Sequence, residues 1–403
     1  MNQDSALTRR RFLAATMGTV GAASLRRPAS AQTAPATYTR YNVTSPGGQR
    51  ALASYARGVE AMLKLPATHP HNWFRNAFVH IVDCPHGNWW FYVWHRGYLG
   101  YFEQTIRRLS GDPTFAIPYW DWTAQPRVPA EMFGPFLTPT DRSFAPYTLN
   151  LDVFTRFIQP ALLSYWNSLN PHQLAQLNWR GYDSFARMWD DVNGTDPKAI
   201  PPDAIAGNIA YANPVGGRYL TPDNREFDAI TAHNVSQPIL HGGLTTPHFY
   251  DSVSSRSFNS TKALSHNMPA GATSTFSILE GLPHNQVHNY IGGVGPLDQG
   301  PYGYMTNFLS PVDPIFFLHH ANMDRLWDVW TRFMMRRKLP WTPDPADEAT
   351  FMNEPFLFFV DGDGNHVPNG KAGDYFQIGK FDYVYEPGSG EEVVQRPSTT
   401  LTA

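Results

Sequence analysis

Residues 84–96 read CPHGNWWFYVWHR, placing the chain's only cysteine two positions before one histidine and a second histidine nine positions further on, beyond a patch of Trp, Phe and Tyr. Working outward, His95, Leu99, Phe102 and Ile106 fall on one face of a helix predicted over 93–109, and residues 73–83 read as the helix before it. Leu52, Tyr55, Val59 and Met62, after Gly47-Gly48, predict an earlier amphipathic helix ending near Leu65-Pro66. Helical patterns return at 281–291 and 313–337. Between Pro126 and Gly271 the chain is rich in Pro, Gly, Asn and Asp, with shorter helical patches at 151–168 and 182–191, and reads as a long irregular excursion rather than a second domain. Beyond Trp341, FLFFVDGDGN (356–365) reads as an apolar strand entering an Asp-Gly turn and FDYVYEP (381–387) as another strand. The expected fold class is mainly α: a four-helix-bundle core with long loops and a few short C-terminal strands.

Composition narrows the function classes. With 14% aromatic and 16% charged residues, the 403-residue chain can bury a large core. A net charge of -3 gives no electrostatic case for nucleic acid or an anionic membrane surface, so small neutral partners are the natural ones. One cysteine excludes an intramolecular disulfide. The N-terminus carries Arg9, Arg10 and Arg11, an apolar stretch from Phe12 to Leu25 and a small-residue cleavage site at Ala29-Ser30-Ala31. Residues 1–31 therefore read as a signal peptide. Its TRRRFL run resembles a twin-arginine signal, which implies export of the folded protein to the periplasm or exterior of a bacterium. No other run approaches the ~20 apolar residues of a membrane span. The division expected is signal 1–31, catalytic domain 32–386 and short tail 387–403.

The histidines fall in two clusters. AFVHIVDCPHGNWWFYVWHR (77–96) holds His80, His86 and His95; LPHNQVHNYIGG (282–293) holds His284 and His288; DPIFFLHHANMDRLW (313–327) holds His319 and His320. On a helix, His284 and His288 share a face and can aim two imidazoles at one ion. Histidines clustered without repeated cysteine or carboxylate favour copper over structural zinc. Two three-histidine sites facing each other would hold a pair of ions.

At these residues the chain resembles the tyrosinase, or polyphenol oxidase, family of type 3 copper proteins, which includes catechol oxidases and molluscan haemocyanins. The resemblance rests on HGNWWFYVWHRGYLGYFE (86–103), PYWDW (118–122) and DPIFFLHHANMD (313–324), and covers most of 50–386. It implies copper ligands His80, His86 and His95 for one ion and His284, His288 and His320 for the other, with His319 and Asp324 behind them. His69 and His71 of THPH are rivals for the first position; NAFVHIVDC, with cysteine four residues after histidine, resembles the plant arrangement and favours His80. Fungal and molluscan members join a cysteine to the imidazole two residues on, implying a Cys84–His86 thioether, the alternative being a buried free thiol. Glu103 and Asp121 are further candidates to orient ligand rings, Glu103 equally a structural ion pair.

Glu280 and Asn285 match the plant glutamate and post-histidine residue that hold a water for deprotonating monophenols; the alternative is a helix-terminal carboxylate and a solvent-facing amide. Phe308 resembles the plant gate residue, one position closer to His320. The function implied is a dicopper phenol oxidase that uses O2 to hydroxylate monophenols and to oxidise o-diphenols to o-quinones. Alternatives are a catechol oxidase, an o-aminophenol oxidase, or a haemocyanin-like oxygen carrier. The substrates implied are small phenols and catechols, with no nucleic acid and no membrane partner, and whether a copper-delivery protein takes part is left open by the sequence. FDYVYEPGSG resembles the tyrosine motif that closes the family's catalytic core, and the short stretch after Tyr385 leads to the expectation that no covering domain has to be removed.

Overall fold

The computed structural model describes residues 38–193, 217–267, 275–293, 303–388, 390 and 394. In chain order it runs β1 Tyr38–Arg40, α1 Pro46–Lys64, α2 Trp73–Asp83, α3 Phe91–Ser110, α4 Ala145–Thr148, α5 Leu151–Asn167, α6 Pro171–Trp179, α7 Phe185–Val192, α8 Ala229–Asn234 and α9 Gln237–Leu244. It continues with α10 Asn285–Gly292, α11 Ile315–Arg336, α12 Glu348–Met352, β2 Pro355–Phe356, β3 Gly370–Lys371 and β4 Tyr383–Tyr385. The fold is mainly helical, as expected, and α2, α3, α10 and α11 carry histidines of both clusters. Residues 1–31, read as an export signal, and most of the 387–403 tail lie outside the described residues. Among the described residues no helix is long and apolar enough to cross a membrane.

Local chemistry sets the helix ends. The Ser45 hydroxyl accepts the Gly48 N–H, with Pro46 in the first turn of α1. The Asn72 amide oxygen accepts the N–H groups of Phe74 and Arg75 at the start of α2. Gly111, at φ +72°, closes α3 in the left-handed conformation. Leu52, Tyr55, Val59 and Met62 are buried along α1, as their spacing predicts. Gly100 of α3 is needed for a close approach: a Cβ there would lie 2.3 Å from the Phe381 ring.

Two expectations need correction. The helix expected over 281–291 opens as a π turn, Glu280–His284, containing Pro283, and becomes α-helical only at Asn285. Pro283 has no N–H to give an α-helical bond, and the wider turn absorbs that loss. The strand expected over 356–360 shrinks to Pro355–Phe356, paired antiparallel with Gly370–Lys371. Consecutive Phe358 and Phe359 are both buried, which the alternation of a strand with one solvated face does not permit. The Asp-Gly turn is present, with the Asp361 N–H bonded to the Asn365 carbonyl at 2.9 Å. The last strand also forms, and β4 pairs in parallel with β1.

That pairing covers a buried ionic cluster. The Asp324 carboxylate accepts Arg40 Nη1 at 2.8 Å, Arg96 Nε at 2.7 Å, the Tyr385 hydroxyl at 2.6 Å and the Tyr383 hydroxyl. Arg40 also forks onto Glu103 through two 2.9 Å bonds and lies 3.6 Å above the Tyr383 ring. Burial opposes ionisation of Asp324, but Arg96 and Arg40 hold its carboxyl below the ordinary aspartate range. Thus Glu103 and Asp324, read from sequence as groups behind the histidines, have no histidine among their partners and instead brace α3, α11 and both chain-end strands. Asp121 accepts the N–H groups of Thr123 and Ala124 in its own turn and faces Arg325 at 3.4 Å.

Removing one member leaves the others buried without compensation. Asp324→Asn is expected to lower the free energy of unfolding by about 3–5 kcal/mol, and Tyr385→Phe by about 1.5–3 kcal/mol, as measured by urea denaturation. Equal midpoints for wild type and Asp324→Asn would refute the bracing role.

Candidate metal centre

His80 sits in the last turn of α2, His86 in the following loop and His95 on α3. The metal-binding atoms of these three, with Cys84 Sγ, lie within 4.8 Å of one another. His284 ends the π turn, His288 lies on α10, and His319 and His320 lie on α11; these four also converge within 4.8 Å. All six expected ligands are therefore brought together. His69 and His71 are not: His71 bonds the Asp361 carbonyl at 2.8 Å, outside either cluster. The clusters face each other, with the His95 and His320 rings stacked at 4.1 Å and the His86 and His284 rings 5.9 Å apart.

Hydrogen bonds decide which ring nitrogens can bind a cation. His80 Nδ1 meets the Phe308 carbonyl at 2.7 Å, His95 Nδ1 the Phe91 carbonyl at 2.7 Å, and His288 Nδ1 the Met305 carbonyl at 2.8 Å. A carbonyl can only accept, so each Nδ1 carries the proton and each Nε2 presents a lone pair. His284 repeats the arrangement with the Asn285 amide oxygen at 2.8 Å. The Nε2 atoms of His80 and His284 are buried without a hydrogen-bond partner, and those of His288 and His320 approach to 3.1 Å. Such lone pairs, aimed inward and unsatisfied by protein, fit metal ions. The donor set is imidazole, without carboxylate, which suits copper.

His319 is different. Its Nδ1 lies 3.1 Å from the Trp122 indole nitrogen, and an indole only donates, so the His319 proton must sit on Nε2. In that tautomer His319 presents an N–H rather than a lone pair on its Nε2, itself buried without a partner, while the His320 Nε2 stands 3.1 Å from that of His288; the His319 ring is stacked 5.2 Å from that of His284. Burial, reinforced in most cases by neighbouring imidazoles, holds the rings neutral: His95 falls to about 3 and His288 to about 4, and the other five are also lowered. Burial likewise pushes the Cys84 thiol up. Cys84 Sγ lies 3.6 and 3.8 Å from the two ring nitrogens of His86 and 3.4 Å from His95 Nε2.

The remaining sequence candidates divide. Phe308 is at the centre: its ring, 41% exposed, lies 5.3 Å from His86, and its carbonyl orients His80. Glu280 is fully buried, accepting the Gly87 N–H at 2.6 Å and the Ser260 hydroxyl. Burial raises its carboxyl to about 8 against the lowering effect of those two donors. Asn285 turns its oxygen to His284, so Glu280 and Asn285 have separate partners. Arg180 was missed by sequence reasoning. It donates to the carbonyls of Ile81 at 2.7 Å and Cys84 at 2.6 Å, completing the C-terminal end of α2 just before His86. An isolated arginine so distant in sequence carries no pattern that reveals this role.

The chain matches the family model for the common central domain of tyrosinase over residues 60–333. It is 26% identical over 369 residues to the latent chloroplastic polyphenol oxidase of Prunus armeniaca, covering 87% of this chain and 49% of that protein. It is 27% identical over 292 residues to a tyrosinase of Podospora anserina, covering 66% and 42% respectively. In fold it is similar to a latent aurone synthase, itself a polyphenol oxidase, with a TM-score of 0.52 at 20% identity, over 89% of this chain and 61% of that one. The chain thus spans about half the length of the curated relatives it matches.

The ligand assignment predicts metal stoichiometry. His320→Ala is expected to reduce bound copper from two ions per chain to one, whereas His319→Ala retains both, read by elemental analysis after dialysis. The reverse pattern would exchange the roles of the two residues.

Proposed function

Because the chain belongs to the tyrosinase family and its two histidine sites form a type 3 dicopper centre, we propose that it is a copper-dependent oxidase of small phenols. In this reading it hydroxylates monophenols to o-diphenols and oxidises o-diphenols to o-quinones with O2. The observation that carries the reading is the opposition of the clusters across the stacked His95 and His320 rings. When bound, the copper pair supplies two electrons jointly to dioxygen, which is the chemical use of two facing sites.

The chain's own residues hold and shape that site. Carbonyls of Phe91, Met305 and Phe308 fix three ligand rings before metal arrives. The partly exposed Phe308 ring beside His86 offers a flat apolar wall against which a phenol can lie. Glu280 ties the backbone next to His86 to the turn that carries His284; with burial raising its carboxyl to about 8, it is the candidate acceptor for a phenolic proton in its ionised form, at alkaline pH. Asn285 orients His284 and completes the pair that supports monophenol hydroxylation. One observation favours the narrower catechol oxidase reading: the Asn285 amide oxygen is engaged by His284.

We further propose the Cys84–His86 thioether, since Sγ is nearly equidistant from the two nitrogens flanking the His86 Cε1. Forming the Sγ–Cε1 bond removes the thiol and ring hydrogens in a two-electron oxidation, with dioxygen as oxidant. Export is proposed on the leader sequence alone.

Copper-loaded protein lacking residues 1–31 is expected to take up oxygen with a monophenol primed by trace catechol and with catechol alone. Asn285→Gly is expected to lower monophenol turnover at least about tenfold while sparing catechol turnover. Uptake with catechol alone in the parent protein would establish the catechol oxidase reading; o-aminophenol turnover without phenol turnover would establish the aminophenol one. Reversible oxygen binding without steady uptake would point to a carrier. The intact mass after turnover is expected to be lower by two hydrogen atoms, and a Cys84 that alkylates fully on unfolding would exclude the thioether.

A further inference from the structure

A second cavity, of about 400 Å³, opens between the start of α2, helices α5 and α6, and the 360–366 turn. It shares no residue with either histidine cluster. Its lining includes Arg75, which is 7% exposed. Among the described residues the Arg75 side chain has no carboxylate partner, and its Nη1 is buried with no hydrogen-bond partner. The guanidinium carbon lies 3.3 Å from the centroid of the Tyr165 ring, over its face. The Tyr165 hydroxyl beside it is also buried and without a hydrogen-bond partner.

No acidic residue lines the cavity. Asp83, on the same helix as Arg75, is engaged by His266 at 3.0 Å and Trp94 at 2.7 Å. A largely buried guanidinium whose Nη1 has no acceptor is costly, and such groups in native proteins are paired with something. Here the structure leaves room for that partner to come from outside. Ser164 contributes a hydroxyl to the wall, while Ala161, Leu169 and Val360 contribute apolar surface.

We propose that this cavity binds a small organic monocarboxylate, its carboxylate forked onto Arg75 and its short carbon body against the apolar wall. A planar carboxylate matches the guanidinium edge, and one negative charge balances the single cation, whereas a phosphate dianion would leave a charge over. The cavity lies in the range of small-ligand sites.

The test is calorimetric titration of the copper-loaded enzyme with butyrate and, separately, with inorganic phosphate. Butyrate is expected to bind saturably, with at least about a tenfold loss in Arg75→Gln. Ser164→Glu, at an exposed position in the cavity wall, supplies a carboxylate from within the chain; it is expected to abolish butyrate binding and raise the thermal midpoint without ligand. If Arg75→Gln fails to fold, Ser164→Glu carries the test alone. No saturable binding, or binding unchanged in the variants, which places the carboxylate at the copper pair, overturns the site. Tighter binding of phosphate with the same Arg75 dependence overturns the carboxylate assignment.

Discussion

The contact between Asp324 and Arg96 sets the rest of the architecture. Arg96 follows His95 on α3, and Asp324 lies one helical turn beyond His320 on α11. Their 2.7 Å bond therefore fixes the approach and axial register of the two helices where the His95 and His320 rings stack. Arg40 on the first strand and Tyr385 on the last join the same carboxylate, so both ends of the described fold are anchored where the clusters meet. Buried ion pairs return little net stability after desolvation. In this fold the cluster's evident contribution is one specific alignment of helices.

A second network braces the first cluster from outside. His266 lies between Glu354 at 2.6 Å and Asp83 at 3.0 Å, and Trp94 donates to the other Asp83 oxygen at 2.7 Å. Although burial opposes it, the two carboxylates raise His266 above the usual histidine range. The end of α2, the residue before His95 and the long excursion are thereby joined by charge and hydrogen bonding. With Arg180 at the same helix end, the Cys84–His86 loop is held from several directions.

Much of this was legible in the sequence because it is periodic or local. The 3.6-residue repeat located the helices around 52–62, 73–83 and 93–109 to within a few residues, and histidine spacing identified both clusters. Depth in the site was less legible. Spacing alone does not tell His319 from His320; the family resemblance chose His320, and what the sequence does not show is the Trp122 indole, nearly two hundred residues away, that holds the His319 proton on Nε2. The sequence likewise offered Glu103 and Asp324 as histidine partners, since the competing arginines and tyrosines lie on distant segments. The helical pattern at 281–291 gave no sign that a π turn would form around Pro283, and an apolar run containing adjacent Phe358 and Phe359 resembled a strand until packing drew both rings inward.

The turn from Met305 to Phe308 gives one carbonyl to His288 and one to His80, a histidine of each cluster. The exposed Phe308 ring stands 5.3 Å from that of His86, yet the turn's peptide groups form part of the metal scaffold. The turn is thus divided by atom type: its side chains can be exchanged without touching the bonds that orient the two histidine rings, whereas its main-chain path cannot be altered without losing them. An insertion or deletion between these two residues would therefore disturb both metal sites together.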